Sequence, residues 1–198
     1  EELNCKNINF IQGDLLDLRK LNKKFDIIES VGVLHHMANP LIGWEILTDC
    51  LKKDALMLIG LYSEKARENI VNIKEKINNL KIKTTKKNII NFRKNILKNY
   101  NTKWDSIKYS PDFYATSGVR DLLFHVQESR FTIPKIKEYM NKLSLIFLGF
   151  ENTSVIERFK EEYNQPSDFY DLDKWIELEK NNPRTFSGMY QFWCKKQN

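Results

Sequence analysis

The chain predicts an α/β fold with a parallel sheet at its centre, and three stretches predict it. Phe25–Val33 carries Phe25, Ile27, Ile28, Val31 and Val33, too many apolar residues for a strand with one wet face, so it reads as a strand buried on both faces. Leu41–Leu51 sets Leu41, Trp44, Leu47 and Leu51 on one helical stripe. Ala55–Tyr62, reading ALMLIGLY, is a second buried strand. Strand, helix and strand within about forty residues make a βαβ unit, whose crossover is right-handed as a rule.

The other elements follow in order. Asn7–Ile11 alternates and is bounded by Gly13, which predicts a short strand. Asn39-Pro40 breaks the chain before the tryptophan helix. Beyond Tyr62 the strand pattern stops. Glu64–Leu80 aligns Ile70, Ile73, Ile77 and Leu80 on one helical face, and Lys81–Lys98 aligns Ile89, Ile90, Ile96 and Leu97. An aromatic, Pro-containing loop follows at Tyr109–Tyr114. Val119, Leu122, Leu123 and Val126 then mark a short helix. Thr132 and Pro134 open another, with Ile136, Tyr139, Met140 and Leu143 as its apolar side. Strand signals return at Leu145–Phe150, helical ones at Val155–Tyr163 and Leu172–Leu178, and a last strand at Met189–Cys194. The expected organisation is a core over residues 1–63, a helical insertion over 64–142 that can cover a pocket as a lid, and a return to the core over 143–198, interrupted by helices at about 153–182.

Composition narrows the function classes. At 198 residues the chain can bury a genuine core. No apolar run approaches the length needed to span a bilayer, and no signal-peptide pattern opens it. Cys5, Cys50 and Cys194 are scattered and odd in number, which points to a reducing, cytoplasmic setting. The net charge of +6 raises nucleic acid as a partner. The densest basic run, Lys81–Lys98, is amphipathic, so its lysines read as the wet face of a helix and nucleic acid is the less favoured partner.

Four motifs in series carry a resemblance. Gly13-Asp14-Leu15-Leu16, Phe25-Asp26-Ile27-Ile28, Val33-Leu34-His35-His36 and the tryptophan helix ending in Leu51-Lys52-Lys53-Asp54 resemble class I S-adenosylmethionine-dependent methyltransferases. Two later segments, RDLLFHVQESRFT and GMYQFW, look like a bacterial subgroup often fused to tetratricopeptide repeats. The resemblance implies a partial Rossmann-like sheet, strands three to seven of the family, with a large helical insertion. It implies S-adenosylmethionine as cofactor, a small-molecule or protein methyl acceptor, and upstream tetratricopeptide repeats as a further expectation. The family's turn "LKPGG" is LKKDA here, a loss of two turn-forming residues. The family's glycine-rich loop, which lets backbone approach a cofactor closely, has no counterpart in the chain. A fragment of a longer gene product is therefore expected, and with it a sheet that has an exposed edge or a missing centre.

The candidate cofactor residues come from the same resemblance. Asp14, with Gly13 before it and the Leu15 backbone N–H after it, is implied to meet the adenine; the plainer alternative is a turn aspartate capping the next N–H. Ser30, Val31 and Gly32 fall at the carboxyl end of a strand, the edge where open α/β sheets bind ligands. Gly32 can equally mark a bulge.

The candidate catalytic residues are His35, His36 and His125. Adjacent residues leaving a strand point in different directions, so one of His35 and His36 faces the pocket and the other packs on the sheet. No cysteine–histidine spacing supports a metal. On a continuous helix Asp121, His125 and Glu128 share a stripe, and flanking carboxylates favour the imidazolium. Such a group can take a proton as a methyl arrives, or belong to a surface ion-pair cluster. Arg120 and Arg130 can clamp an anionic substrate or pair with those carboxylates, and Glu128 lies among them. Tyr62, Tyr114, Trp104 and Phe113 can wall a pocket or fill the core. Two other readings keep this fold: a methyltransferase-like binding subunit without catalysis, and an RNA-associated methyltransferase.

Overall fold

The computed structural model describes residues 6–98, 102–125 and 127–197. Four strands form one mixed sheet: β1 (Phe25–Val31), β2 (Leu51–Tyr62), β3 (Leu145–Phe150) and β4 (Met189–Lys196), in the order β1-β2-β4-β3. β1 and β2 run parallel, whereas β4 is antiparallel to both β2 and β3. Helix α1 (Pro40–Asp49) makes the crossover from β1 to β2, begun by Asn39, whose side chain accepts from the Leu41 N–H, and by Pro40 in the first turn. Leu51 opens β2 instead of ending this helix.

β2 is flanked by strands on both sides and is buried at almost every position from Ala55 to Leu61. β1 is not. Ile28 and Ser30 are buried, whereas Ile27, Glu29 and Val31 are exposed. The expectation of a strand buried on both faces fails here: the face that carries Ile28 packs on the core, and among the described residues nothing covers the face that carries Ile27, Glu29 and Val31. Asn7–Ile11 forms no strand either. With no pairing strand among the described residues it stays irregular, leaving Phe10 92% exposed.

The LKKDA departure is absorbed locally. The β1–β2 register slips between Phe25 and Ile27, Lys52, Lys53 and Asp54 bulge outward, and Asp54 takes φ +59°, a left-handed conformation that aspartate tolerates better than most side chains.

The helical insertion consists of α2 (Glu68–Asn79), α3 (Lys86–Lys98), a 3-10 stretch at Thr102–Tyr109 and α4 (Thr116–Leu123). Ile70, Ile73, Ile77, Ile89, Phe92, Ile96, Ile107, Phe113 and Leu122 fill a core separate from that of the sheet. On α3 the buried stripe is Ile89, Phe92 and Ile96; Leu97, expected within it, is exposed.

The sheet's own core takes Trp44 from α1, Phe147, Tyr190 and Phe192 from the strands, and Phe159 and Trp175 from α6 (Thr153–Glu162) and α7 (Leu172–Asn181). α5 (Ile133–Lys142) is capped by Thr132, which accepts from the Lys135 N–H, and sends Ile133, Ile136 and Met140 into this same core. Cys50 and Cys194 are free and buried, and burial pushes the Cys194 thiol up to about 12; Cys5 lies outside the described residues. No helix among the described residues is long and apolar enough to cross a membrane.

Candidate active site

The chain leaves β1 through Gly32 at φ +81°, its N–H directed at the Gly60 carbonyl of β2. A side chain at this position would meet nothing within 4 Å, so the glycine serves backbone conformation and leaves open space beside the strand end. Ser30, one residue inside β1, is buried and its hydroxyl has no partner among the described residues. A short 3-10 turn, Leu34–His36, follows and is anchored by the fully buried Leu34.

That turn separates the two histidines. His35 goes inward, with no exposed surface, and stacks on the Tyr62 ring at 3.7 Å. His36 stays half-buried, edge-on to His35 at 4.4 Å and 4.2 Å from the His125 ring. All three histidines of the chain therefore meet at the carboxyl ends of β1 and β2.

His125 arrives by a route other than the one its spacing suggested. α4 ends at Leu123, and residues 127–130 are irregular before Phe131 bridges in parallel to Ser63. Asp121, His125 and Glu128 share no helical stripe, and Val126, expected on that helix, lies outside the described residues. The helix stops because the backbone is claimed elsewhere. The Ser129 N–H donates to the His35 carbonyl at 2.7 Å, Phe131 donates to Tyr62 at 2.9 Å, and Glu64 donates to Phe131 at 2.8 Å. Residues 127–131 thus strap the turn of His35 to the end of β2.

One carbonyl fixes two of the imidazoles. The Gln127 oxygen lies 3.3 Å from His36 Nδ1 and 2.7 Å from His125 Nδ1. A carbonyl only accepts, so His36 Nδ1 carries its proton and, in the neutral ring, Nε2 keeps a lone pair; His125 Nδ1 sits between this carbonyl and the Gln127 N–H, which lies 3.3 Å from it. Burial, and then the neighbouring His36, push His35 down to about 4. Its ring nitrogens make no well-formed hydrogen bond, though the Gly60 carbonyl lends the charged form some support. Burial also lowers His36. Both imidazoles are thus neutral at pH 7.

A charged clamp, not visible from sequence, holds the other side of Tyr62. The Arg67 guanidinium lies 3.9 Å from the centre of the Tyr62 ring. The same guanidinium grips Glu128 through two bonds, Nε to Oε1 at 3.0 Å and an Nη to Oε2 at 2.6 Å, and Lys74 adds a third at 2.9 Å. Burial raises Glu128, but the hydrogen bonds and charges of Arg67 and Lys74 outweigh it and hold the carboxyl at about 2. Glu128, expected at the substrate, is instead sealed in this pair, its side chain 2% exposed. Arg67 is followed 61 residues later by its partner, and no local pattern in the sequence links them. Nearby, Ser63 Oγ donates to the Tyr190 hydroxyl at 3.2 Å and Tyr190 donates to Glu179 at 2.6 Å, a buried chain that ties β2 to β4 and α7.

A cavity of about 390 Å³ opens beside this clamp. Tyr62, Arg67, Gly188 and Met189 line it from the sheet side, and Ile70, Ile107 and Leu122 from the helical layer. Phe113 is buried core, and Trp104 is half-buried beneath Lys76. The remaining candidates stand apart. Tyr114 is 61% exposed, and its carbonyl accepts from Arg93. Arg120 is exposed on α4, and Arg130 lines one cleft together with His125 and Glu128 and another beside Glu64 and Val71. Asp14 caps the 3-10 helix Leu15–Leu21 by accepting from the Leu16 N–H, the plainer of its two roles, with Gly13 exposed before it and Leu15 half-buried after it.

No family model matches the chain. An uncharacterised protein from Synechococcus sp. is 26% identical over an alignment of 157 positions that covers 73% of this chain and 36% of that protein. PKMT2 from Rickettsia typhi has a similar structure, with a TM-score of 0.66 and 15% identity over 93% of this chain and 38% of the PKMT2 chain. PKMT2 in complex with AdoHcy matches over the same shares with a TM-score of 0.60. The chain shares the fold of that portion of PKMT2 and spans little more than a third of the length of these proteins.

Proposed function

We propose that the chain forms part of an S-adenosylmethionine-dependent methyltransferase acting on a small-molecule or protein acceptor. The observation that carries this reading is the likeness, over 93% of the chain, to a protein captured with AdoHcy, which is what S-adenosylmethionine becomes on losing its methyl group. The strand end fits such a group: Ser30 offers an unpaired buried hydroxyl, Val31 an exposed apolar face, and Gly32 open space. Asp14 fits less well, since one carboxylate oxygen already accepts from Leu16.

When bound, S-adenosylmethionine supplies a methyl whose carbon–sulfur bond breaks with the electron pair passing to sulfur. The chain's residues hold the acceptor and manage its proton. The acceptor occupies the cavity beside Tyr62, which the helical layer covers on one side. His36 is the base. Its Nδ1–H is held by Gln127, and the Nε2 lone pair takes the proton from the acceptor oxygen or nitrogen as that atom bonds the methyl carbon. His35, stacked on Tyr62, orients the His36 ring through an edge-on contact. Holding the partners in line is worth about 7 kcal/mol or more, and a positioned base about two to four orders of magnitude in rate.

The test is calorimetry of the full-length protein with S-adenosylhomocysteine. Saturable binding supports the reading. Its absence would leave the binding-subunit alternative, which the capping role of Asp14 also favours.

A further inference from the structure

The positive charge of this molecule is concentrated in one place. Residues 76–98, the end of α2 with its turn and α3, hold eight Lys or Arg and no Asp or Glu, more charge than the +6 that the whole chain nets. Two of these cations are engaged: Lys76 lies over the Trp104 ring and Arg93 donates to the Tyr114 carbonyl. The other six, Lys81, Lys83, Lys86, Lys87, Lys94 and Lys98, are exposed and have no side-chain partner among the described residues.

Helical geometry makes a surface of them. Ile89, Phe92 and Ile96 face the helical core. Lys87, Lys94 and Lys98, spaced by seven and four residues, fall on the opposite pole of α3, a row about 16 Å long at 1.5 Å per residue. Like charges so placed repel one another on a helix. Elsewhere the protein interleaves its signs, as in Arg19 with Asp49, Lys137 with Asp173 and Lys142 with Glu138. A lysine-rich composition accounts for many lysines but not for the missing carboxylates.

We infer that the α2–α3 hairpin is a docking surface for an acidic polypeptide segment. Charge complementarity sets the sign of the partner. The residue types favour a polypeptide over nucleic acid. The one arginine of the stretch is committed to a backbone carbonyl, and its one aromatic, Phe92, is buried, so the surface has neither a free guanidinium fork nor a base-stacking platform. Lysines on a helix pole suit carboxylates on an extended or helical partner as dispersed point charges. The inference does not depend on the methyltransferase reading.

The test is fluorescence anisotropy on the full-length protein, with a labelled oligoglutamate peptide as probe and a single-stranded oligouridylate of equal charge for comparison. The variant is the triple Lys87→Glu, Lys94→Glu, Lys98→Glu. Its sites are exposed, and unchanged circular dichroism verifies the fold. The peptide is expected to bind, to weaken with added salt, and to bind the variant at least about tenfold more weakly. Three results would each overturn the inference: no peptide binding at low salt, equal binding by the variant, or tighter binding of the oligouridylate at 150 mM salt. S-adenosylhomocysteine binding by the same variant is a separate readout, so failure of the methyltransferase reading leaves this result intact.

Discussion

Gly32 is the residue at which sequence, backbone and proposed chemistry meet. At φ +81° with nothing within 4 Å of a Cβ, its replacement by alanine meets no clash and strains only the backbone. Gly32→Ala is expected to cost about 1–2 kcal/mol in urea unfolding, and to weaken S-adenosylhomocysteine binding by more than that loss explains. A variant that unfolds more easily yet binds equally well would remove Gly32 from the cofactor site. The two histidines after it were legible as a pair, but the 3-10 turn Leu34–His36, and not strand alternation, sets them apart. Which one turned inward was not legible. That depends on Tyr62 for His35 to stack on and on Gln127 for His36 to reach, contacts that bring distant parts of the chain together. Arg67 was invisible for the same reason, since its roles are defined by a tyrosine in one element and a glutamate in another.

At the scale of elements, β1 shows what a strand needs from its surroundings. Its apolar composition announces two covered faces, yet Ile27 is 56% exposed and one edge is unpaired among the described residues. Ile27→Asp is therefore expected to change stability by no more than about 0.5 kcal/mol in urea unfolding, as at an ordinary exposed site; a loss of about 2 kcal/mol or more would show this face to be covered in solution. The same element logic explains Asn7–Ile11, where an alternating pattern without a pairing partner gives no strand. It also explains the early end of α4. Its apolar spacing extended past Leu123, but the backbone from Ser129 to Phe131 had better partners in His35 and Tyr62.

Across the whole molecule, two buried groups titrate far from their usual ranges and fix the response to acid. His35 is held down at about 4, so the folded state resists a proton that the unfolded chain accepts near 6.5. Its contribution to stability is complete above 6.5 and is lost as pH falls toward 4. Glu128, held at about 2 against an ordinary 4.5, contributes above 4.5 and is lost as pH falls toward 2. Stability is therefore expected to decline in two stages on acidification, measured by urea unfolding from pH 7.5 to 3. Glu128→Gln should flatten the lower stage and, by leaving Arg67 buried without its carboxylate, cost about 3–5 kcal/mol at pH 7. An unchanged pH profile in that variant would show that the pair does not govern acid stability.

The sequence by itself determined the repeating units of this protein: the βαβ start, the amphipathic helices of the insertion, the Thr132 cap and the late strands. Each of these is written in local periodicity and local hydrogen bonding, which a few neighbouring residues suffice to specify. It also located the strand end with Gly32 and the paired histidines. Only the tertiary structure decided that β4 enters between β2 and β3, that all three histidines converge, and that Glu128 closes on Arg67 and not on a substrate. Those outcomes rest on contacts between residues tens of positions apart, where the energy belongs to the pair and neither partner's own neighbourhood records it.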